Sequence, residues 1–242
     1  MKVQNNTPHK KTTYRLMEST CEADAVADCA EWIQALLETR RWQQQRTRMF
    51  VSGGKSPAAV FDQLADWNFP WRNLDILLVD ERWAPDQPQD QNSVLVQQHL
   101  LQKRASAASF QSLLLDNDFE RNLVLCNQAV SNIAQPDIVL LGMGLDGHIA
   151  SLFPDAPDFL AAMTSGQRYV SVHPTNAPYP RISMSFSWLT AASQIVLYIP
   201  GQEKRDVFNA IVKDPQSLSP LRPLLQHADG RLTVITTRRR SK

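Results

Sequence analysis

Short apolar runs alternate with stretches of helical periodicity along most of this 242-residue chain, and that alternation restricts the fold more than any other feature. The pairs are 48–51 then 58–67, 74–79 then 93–102, and 110–115 then 120–133. Further strand candidates fall at 137–141, 168–172, 182–186, 195–199 and 232–235, with helices expected over 22–40 and 203–213. A parallel strand pair needs a crossover long enough to hold a helix, and those helices must lie on the sheet faces. The expected fold class is therefore α/β, a layered sandwich with a mostly parallel, Rossmann-like sheet. No repeat, low-complexity stretch or interdomain linker interrupts the pattern, so one α/β domain over 1–242 is expected, with 1–13 as a flexible N-terminal extension. The stretches 86–91 and 174–180 read as long surface loops. Open α/β sheets bind ligands beyond the carboxyl ends of their strands, which is where chemistry is to be sought.

Composition excludes several function classes. With 43% hydrophobic residues and a formal net charge of +1, the chain can bury a sizeable core but does not present a polyanion-coating surface, so no nucleic-acid partner is expected. The basic start His9-Lys10-Lys11 and the tail Arg238-Arg239-Arg240-Ser241-Lys242 read as solvated chain ends. The first dozen residues are polar, and no apolar run approaches the roughly 18 residues needed to span a bilayer. That points to the cytoplasm and to no membrane partner. Cys21, Cys29 and Cys126 form an odd set without a C-x-x-C or a His at metal-ligand spacing, so they read as small, reduced, partly buried side chains and no metal site is expected. Monomer and homodimer both stay open.

The segment Gly142-Met143-Gly144-Leu145-Asp146-Gly147-His148 follows the apolar run 137–141 and places a titratable His at the tip of a glycine-rich turn. Glycine lets the backbone turn sharply and approach a ligand, and imidazole is the side chain suited to moving protons near neutral pH. Gly142, Gly144 and Gly147 also spell G-x-G-x-x-G, yet the dinucleotide reading lacks its context: Pro154 and Pro157 interrupt any helix there, and the run 168–172 ends in His173-Pro174 without a carboxylate for ribose.

Three other motifs fall after apolar runs. Ser52-Gly53-Gly54-Lys55-Ser56-Pro57 reads as a Gly pair, a Ser cap and a Pro at the first helical position; it is either an anion cradle built on a helix N-terminus or a plain strand-to-helix turn. A Walker A loop would need Gly where Met49 stands. Asp80-Glu81-Arg82-Trp83 offers a guanidinium fork that neighbouring carboxylates could hold, as a phosphate site or as a structural ion pair. Gly201-Gln202-Glu203-Lys204 puts a Lys in the first turn of a helix, a position that favours an anion nearby because the helix N-terminus is already positive.

In order and spacing these motifs resemble the 6-phosphogluconolactonase family, in the glucosamine-6-phosphate deaminase/isomerase superfamily. The resemblance runs from about Glu22 to the C-terminus and also takes in Asp90-Gln91-Asn92 and Pro180-Arg181-Ile182-Ser183. The sister deaminases share the Asp-Gly-His-Ile core but continue into Phe-Asn-Glu-Pro and carry Asp-Glu-Tyr in the second motif. This chain has Ser151-Leu152-Phe153-Pro154 and Arg82 instead, and Lys55-Ser56 where many relatives have Ser-Thr.

The resemblance implies a NagB/RpiA/CoA transferase-like fold and metal-free, cofactor-free hydrolysis of 6-phospho-D-glucono-1,5-lactone, a sugar-phosphate lactone, in the oxidative pentose phosphate pathway. His148 would then be the general base, with Asp146 orienting the imidazole or the substrate and backbone N–H groups of the glycine turn as candidates to face the oxyanion. Arg82, Lys204, Arg181 and the loop Ser52, Gly53, Gly54, Lys55 and Ser56 would hold the 6-phosphate. Two alternatives stand beside this: a sugar-phosphate isomerase or deaminase, for which Asp80 is the available carboxylate, and a non-catalytic sugar-phosphate-sensing domain, against which the short stretch before the first helix and the intact His148 both count.

Overall fold

All six side chains of Leu232–Thr237 are buried, although successive residues of a strand point to opposite faces of its sheet. The same holds for Ile138–Leu141 and, after its first residue, for Gln194–Ile199. Strands buried on both faces need helices above and below, as in parallel sheets. The computed structural model, which describes residues 14–43 and 46–238, has this arrangement. The sheet holds seven strands: β1 (Tyr14–Ser19), β2 (Thr47–Val51), β3 (Leu74–Leu78), β5 (Ser109–Gln111), β6 (Ile138–Leu141), β9 (Gln194–Ile199) and β10 (Leu232–Thr237). Their order is β1-β10-β9-β6-β2-β3-β5, and every neighbouring pair is parallel. The long helices are α1 (Glu22–Gln43), α2 (Lys55–Ala65), α3 (Asn92–His99), α4 (Phe119–Ala129) and α7 (Gln202–Lys213), with shorter ones at α5 (Phe159–Thr164), α6 (Phe186–Thr190) and α8 (Leu221–His227).

The alternation in the sequence therefore gives the expected class, with several local corrections. The runs 168–172 and 182–186 do not join the parallel sheet. As β7 (Tyr169–Val172) and β8 (Arg181–Met184) they form a separate antiparallel sheet with β4 (Asp80–Arg82), in the order β4-β8-β7. The second run stops at Met184 because Ser185 caps α6, accepting from the Trp188 amide at 3.3 Å. The run 110–115 pairs only as far as Gln111, since the buried Asn122 side chain then takes the amides of Leu115 and Asp116 and donates to Leu113. Helix α2 starts at Lys55 rather than after Pro57. Its N-cap is Gly54 at φ +93°, Ser56 is no cap, and Pro57 sits third in the helix, where an N–H would have no intrahelical partner anyway. Strand β1 has no core-facing pattern in its sequence and exists through its six-residue pairing with β10. The segments 1–13 and 239–242, which include His9-Lys10-Lys11 and most of the basic tail, lie outside the described residues. Among the described residues no helix is long and apolar enough to cross a membrane, and the cysteines are free, Cys29 and Cys126 buried and Cys21 exposed.

The topology selects one place for a ligand. From β2 the chain builds outward through β3 to β5, then returns to lay β6 on the other side of β2 and continues outward through β9. The crevice beyond the carboxyl ends of β2 and β6 is thus the switch point of the sheet, where such folds bind ligands.

Candidate active site

Four strand ends supply one cleft. The loop Ser52–Ser56 follows β2, Asp80 and Arg82 follow β3, the glycine turn with His148 follows β6, and Lys204 stands on the first turn of α7 after β9. Asn92 closes the wall from the start of α3.

The glycine turn is built to present the imidazole. Gly147 adopts φ +84°, a left-handed conformation that a side chain would resist, and a Cβ there would also meet Ile211 at 2.9 Å. A Cβ on Gly144 would lie 2.3 Å from both the His148 ring and the Asp146 carboxylate, so only glycine lets the turn fold back over this pair. His148 Nδ1 lies 2.6 Å from Asp146 Oδ1, and the His148 amide donates to the same oxygen at 3.3 Å. Burial pushes the Asp146 carboxyl up, but the hydrogen bond and charge of His148 outweigh it and leave Asp146 below the usual carboxylate value. An ionised carboxylate only accepts, so the Nδ1 proton must point at Asp146 and the lone pair of a neutral ring resides on Nε2. Phe153 packs on the imidazole with centroids 4.1 Å apart and fixes its plane. Ala150, at φ +52°, carries the chain away from the turn in a left-handed conformation that a non-glycine residue adopts at a cost. Within the turn, the Gly144 amide donates to the His148 carbonyl and the Gly147 amide to the Gly144 carbonyl. The expectation that the turn's amides face an oxyanion accordingly narrows to Gly142 and Met143, which line the cleft.

Across the cleft the groups are cationic or donating. No side chain caps the start of α2, which leaves its first amides and the positive end of the helix dipole facing the cleft. Lys204 Nζ donates to Ser56 Oγ at 2.8 Å, joining the starts of α7 and α2, and partial burial lowers the Lys204 pKa. Arg82 Nη1 donates to the Asp90 carbonyl at 2.5 Å, which fixes the guanidinium without neutralising it. The neighbouring Glu81 does not pair with Arg82 as an ion pair. It is fully buried, accepts from the amides of Arg82, Asn92 and Ser93 at 2.6–2.8 Å, and ties β4 to α3. Burial raises its pKa against the pull of those amides. Two buried polar atoms at the cleft wall, Ser52 Oγ and Asn92 Oδ1, have no hydrogen-bond partner among the described residues.

Most of the residues singled out from the sequence thus converge: Ser52, Gly53, Gly54, Lys55, Ser56, Arg82, His148 and Lys204 line the cleft, and Asp146 stands behind His148. Arg181 does not line it. Paired with Arg82 across β4 and β8, it is buried beside the Phe153 ring, with its pKa lowered by burial and Asp80 pulling the other way. Asn92 and Asp80 line the cleft without having been named for binding. Asn92 donates to the Asp80 carbonyl at 2.8 Å and lies so close over Gly53 that a Cβ there would meet its Oδ1 at 1.9 Å. Asp80 accepts from Ser151 Oγ at 2.6 Å, a partner 71 positions away. The Asp90-Gln91-Asn92 motif was the available signal for Asn92; Ser151 stood in a named motif, but nothing local signals its bond to Asp80. Among the described residues no group of three or more His, Cys, Asp or Glu side chains gathers where it could hold a metal ion.

The switch-point crevice of a parallel α/β sheet thus gathers a carboxylate-held imidazole, the uncapped start of α2, Arg82 and Lys204. The chain belongs to the family of glucosamine-6-phosphate isomerases and 6-phosphogluconolactonases, whose model matches residues 20–234. It is 35% identical over 210 residues to a 6-phosphogluconolactonase of Neisseria meningitidis serogroup A, covering 85% of this chain and 88% of the relative. A Helicobacter pylori 6-phosphogluconolactonase is 35% identical over 207 residues, with 85% and 90% covered. Among solved structures, a putative 6-phosphogluconolactonase of Neisseria gonorrhoeae superposes with a TM-score of 0.84 at 31% identity, covering 93% of this chain and 100% of the other. A 6-phosphogluconolactonase of Shewanella baltica gives 0.84 at 29% identity, with 94% and 97% covered.

Proposed function

We propose that this chain hydrolyses 6-phospho-D-glucono-1,5-lactone to 6-phospho-D-gluconate, a step of the oxidative pentose phosphate pathway, in the cytoplasm. The observation that carries the reading is the 2.6 Å His148–Asp146 pair, which leaves Nε2 as the basic nitrogen in the cleft that also holds Arg82, Lys204 and the start of α2. Nε2 takes a proton from water as the water oxygen bonds to C1. The tetrahedral oxyanion, met by the amides of Gly142 and Met143, then collapses with cleavage of the C1–O5 bond, and the imidazolium returns the proton to O5. General base catalysis of this kind contributes about 10²–10⁴-fold. Arg82, Lys204 and the Ser52–Ser56 loop hold the 6-phosphate and so orient C1 over His148. Arg181, opposite Arg82 across β4 and β8, does not line the cleft, and its charge adds to the positive field beside Arg82. No step calls for a metal or a cofactor.

The test is to mix the purified full chain with freshly generated lactone and follow acid release above spontaneous hydrolysis, with and without EDTA. Saturable acceleration that survives chelation is expected; a rate equal to background would overturn the proposal. Asp80 lines the cleft and supplies the carboxylate that isomerisation or deamination would need, so glucosamine 6-phosphate is assayed in parallel. Turnover of that compound in place of the lactone would move the assignment to the sister activity.

A further inference from the structure

Arg82 is held by a backbone carbonyl, and what holds that carbonyl lies far away in the chain. Asp90 closes the 3-10 turn Pro88–Asp90, and its side-chain Oδ2 accepts from the Tyr179 hydroxyl at 2.8 Å across 89 positions. Tyr179 stands in the left-handed region at φ +69°, a conformation an aromatic residue keeps only when its surroundings require it. Those surroundings are explicit. The Trp83 amide, next to Arg82, donates to the Pro180 carbonyl at 2.9 Å. On the far side, the stretch 173–176 is fastened to 155–158 by His173 on Asp158 at 2.7 Å, Thr175 on the Asp155 carbonyl at 2.8 Å and Asn176 on the Asp155 carboxylate at 2.7 Å. The segment 173–180 is thus a strap, anchored at both ends, and its Tyr179 hydroxyl reaches the residue that holds Arg82.

We propose that Tyr179 is a positioning residue for phosphate binding, fixing Arg82 through Asp90. The inference rests on the reading that Arg82 holds the 6-phosphate. Arg82 gives one N–H to Asp90 and keeps the rest of its fork for a ligand. The Tyr179 bond sets where Asp90 stands, so its loss lets the guanidinium wander and weakens phosphate capture while the His148–Asp146 pair, on the other wall, is untouched.

The experiment compares wild type, Tyr179→Phe, Asp90→Ala and the double variant on 6-phosphogluconolactone and on the unphosphorylated glucono-1,5-lactone. Tyr179→Phe removes one hydroxyl and keeps the ring, so KM for the phosphorylated lactone should rise by about three- to tenfold, the size of one ordinary hydrogen bond, with kcat nearly constant. With the unphosphorylated lactone the variant should match wild type. Asp90→Ala should reproduce the KM rise, and the double variant should be no worse than either single one, because both delete the same link. An unchanged KM, an equal loss on both lactones, or additive effects would each overturn the positioning role. Arg82→Ala separates the two levels of the argument: if it too spares the phosphorylated substrate, the phosphate assignment of Arg82 fails; if it raises KM while Tyr179→Phe does not, only the positioning role fails.

Discussion

Ser219 donates its hydroxyl to the carbonyl of Gly147 at 2.5 Å, 72 positions away in the chain, and so holds the peptide bond that leads into His148. The bond is buried, and it ties the segment between α7 and α8 to the glycine turn. Ser219→Ala leaves that carbonyl without its partner. We expect kcat to fall about fivefold with KM unchanged, and Tm to fall by about 2–4 °C, both corresponding to a net bond of about 1 kcal/mol. A lower Tm with intact kcat would reduce Ser219 to a purely structural contact.

Gly144→Ala tests how tightly the turn is drawn over the His148–Asp146 pair. Its new methyl would sit 2.3 Å from the His148 ring and the Asp146 carboxylate, so one or both must move. A displacement of about 1 Å at a reacting group costs about a hundredfold, and kcat should drop toward that extent while the fold survives. Gly166→Ala, where a methyl meets nothing within 4 Å, is the control and should behave as wild type. Equal activity of the two variants would show that the turn has slack which the geometry does not suggest.

His148→Asn keeps approximate size and hydrogen bonding but removes the proposed base. Steady-state assays should then give kcat lowered at least about a hundredfold and KM little altered. Asp146→Asn should lower kcat in the same direction, because a carboxamide can accept or donate toward Nδ1 and no longer enforces the tautomer with its lone pair on Nε2. Retention of full kcat by His148→Asn would remove His148 from the chemistry.

Lys204 gives a pH dependence with a definite sign. Burial disfavours its charged form and lowers its pKa from the usual 10.5, so it surrenders its proton at a lower pH than a free lysine does. Affinity for a phosphate dianion should be full while Lys204 is protonated and weaken on an alkaline limb that begins below 10.5. Competition binding of 6-phosphogluconate avoids the alkaline instability of the lactone and reads this limb directly. In Lys204→Arg, whose guanidinium stays charged, the limb should vanish. A limb identical in both proteins would assign it to another group.

Much of the fold and most of the candidate site were legible because their causes are local. The buried runs of β2, β3, β9 and β10 and the long helices α1 and α7 announce themselves by period and length, and alternation alone implies a parallel sheet. His148 and Asp146 stand two positions apart on a glycine turn, so the chain carries their contact within one short segment. What failed was equally specific. The three-residue strand β4 is not a strand by its own composition; it becomes one by pairing with β8 about a hundred positions later, and that pairing takes β7 and β8 out of the parallel sheet and sets Arg181 opposite Arg82 rather than in the cleft.

The amino-acid sequence by itself determined the α/β class, the glycine turn that presents His148 with Asp146, and the cationic residue types at the strand ends, because each depends on residues within a few positions of one another. Only the tertiary structure decided which strand ends became neighbours. The return of the chain from β5 to β6 created the crevice at β2, brought Lys204 onto Ser56, and left Asn92 facing Gly53. It also set Ser219 under Gly147 and Tyr179 against Asp90. Those contacts join groups far apart in the chain, and a hydrogen bond between distant residues exists only once packing of the whole core has offset the entropy of bringing them together.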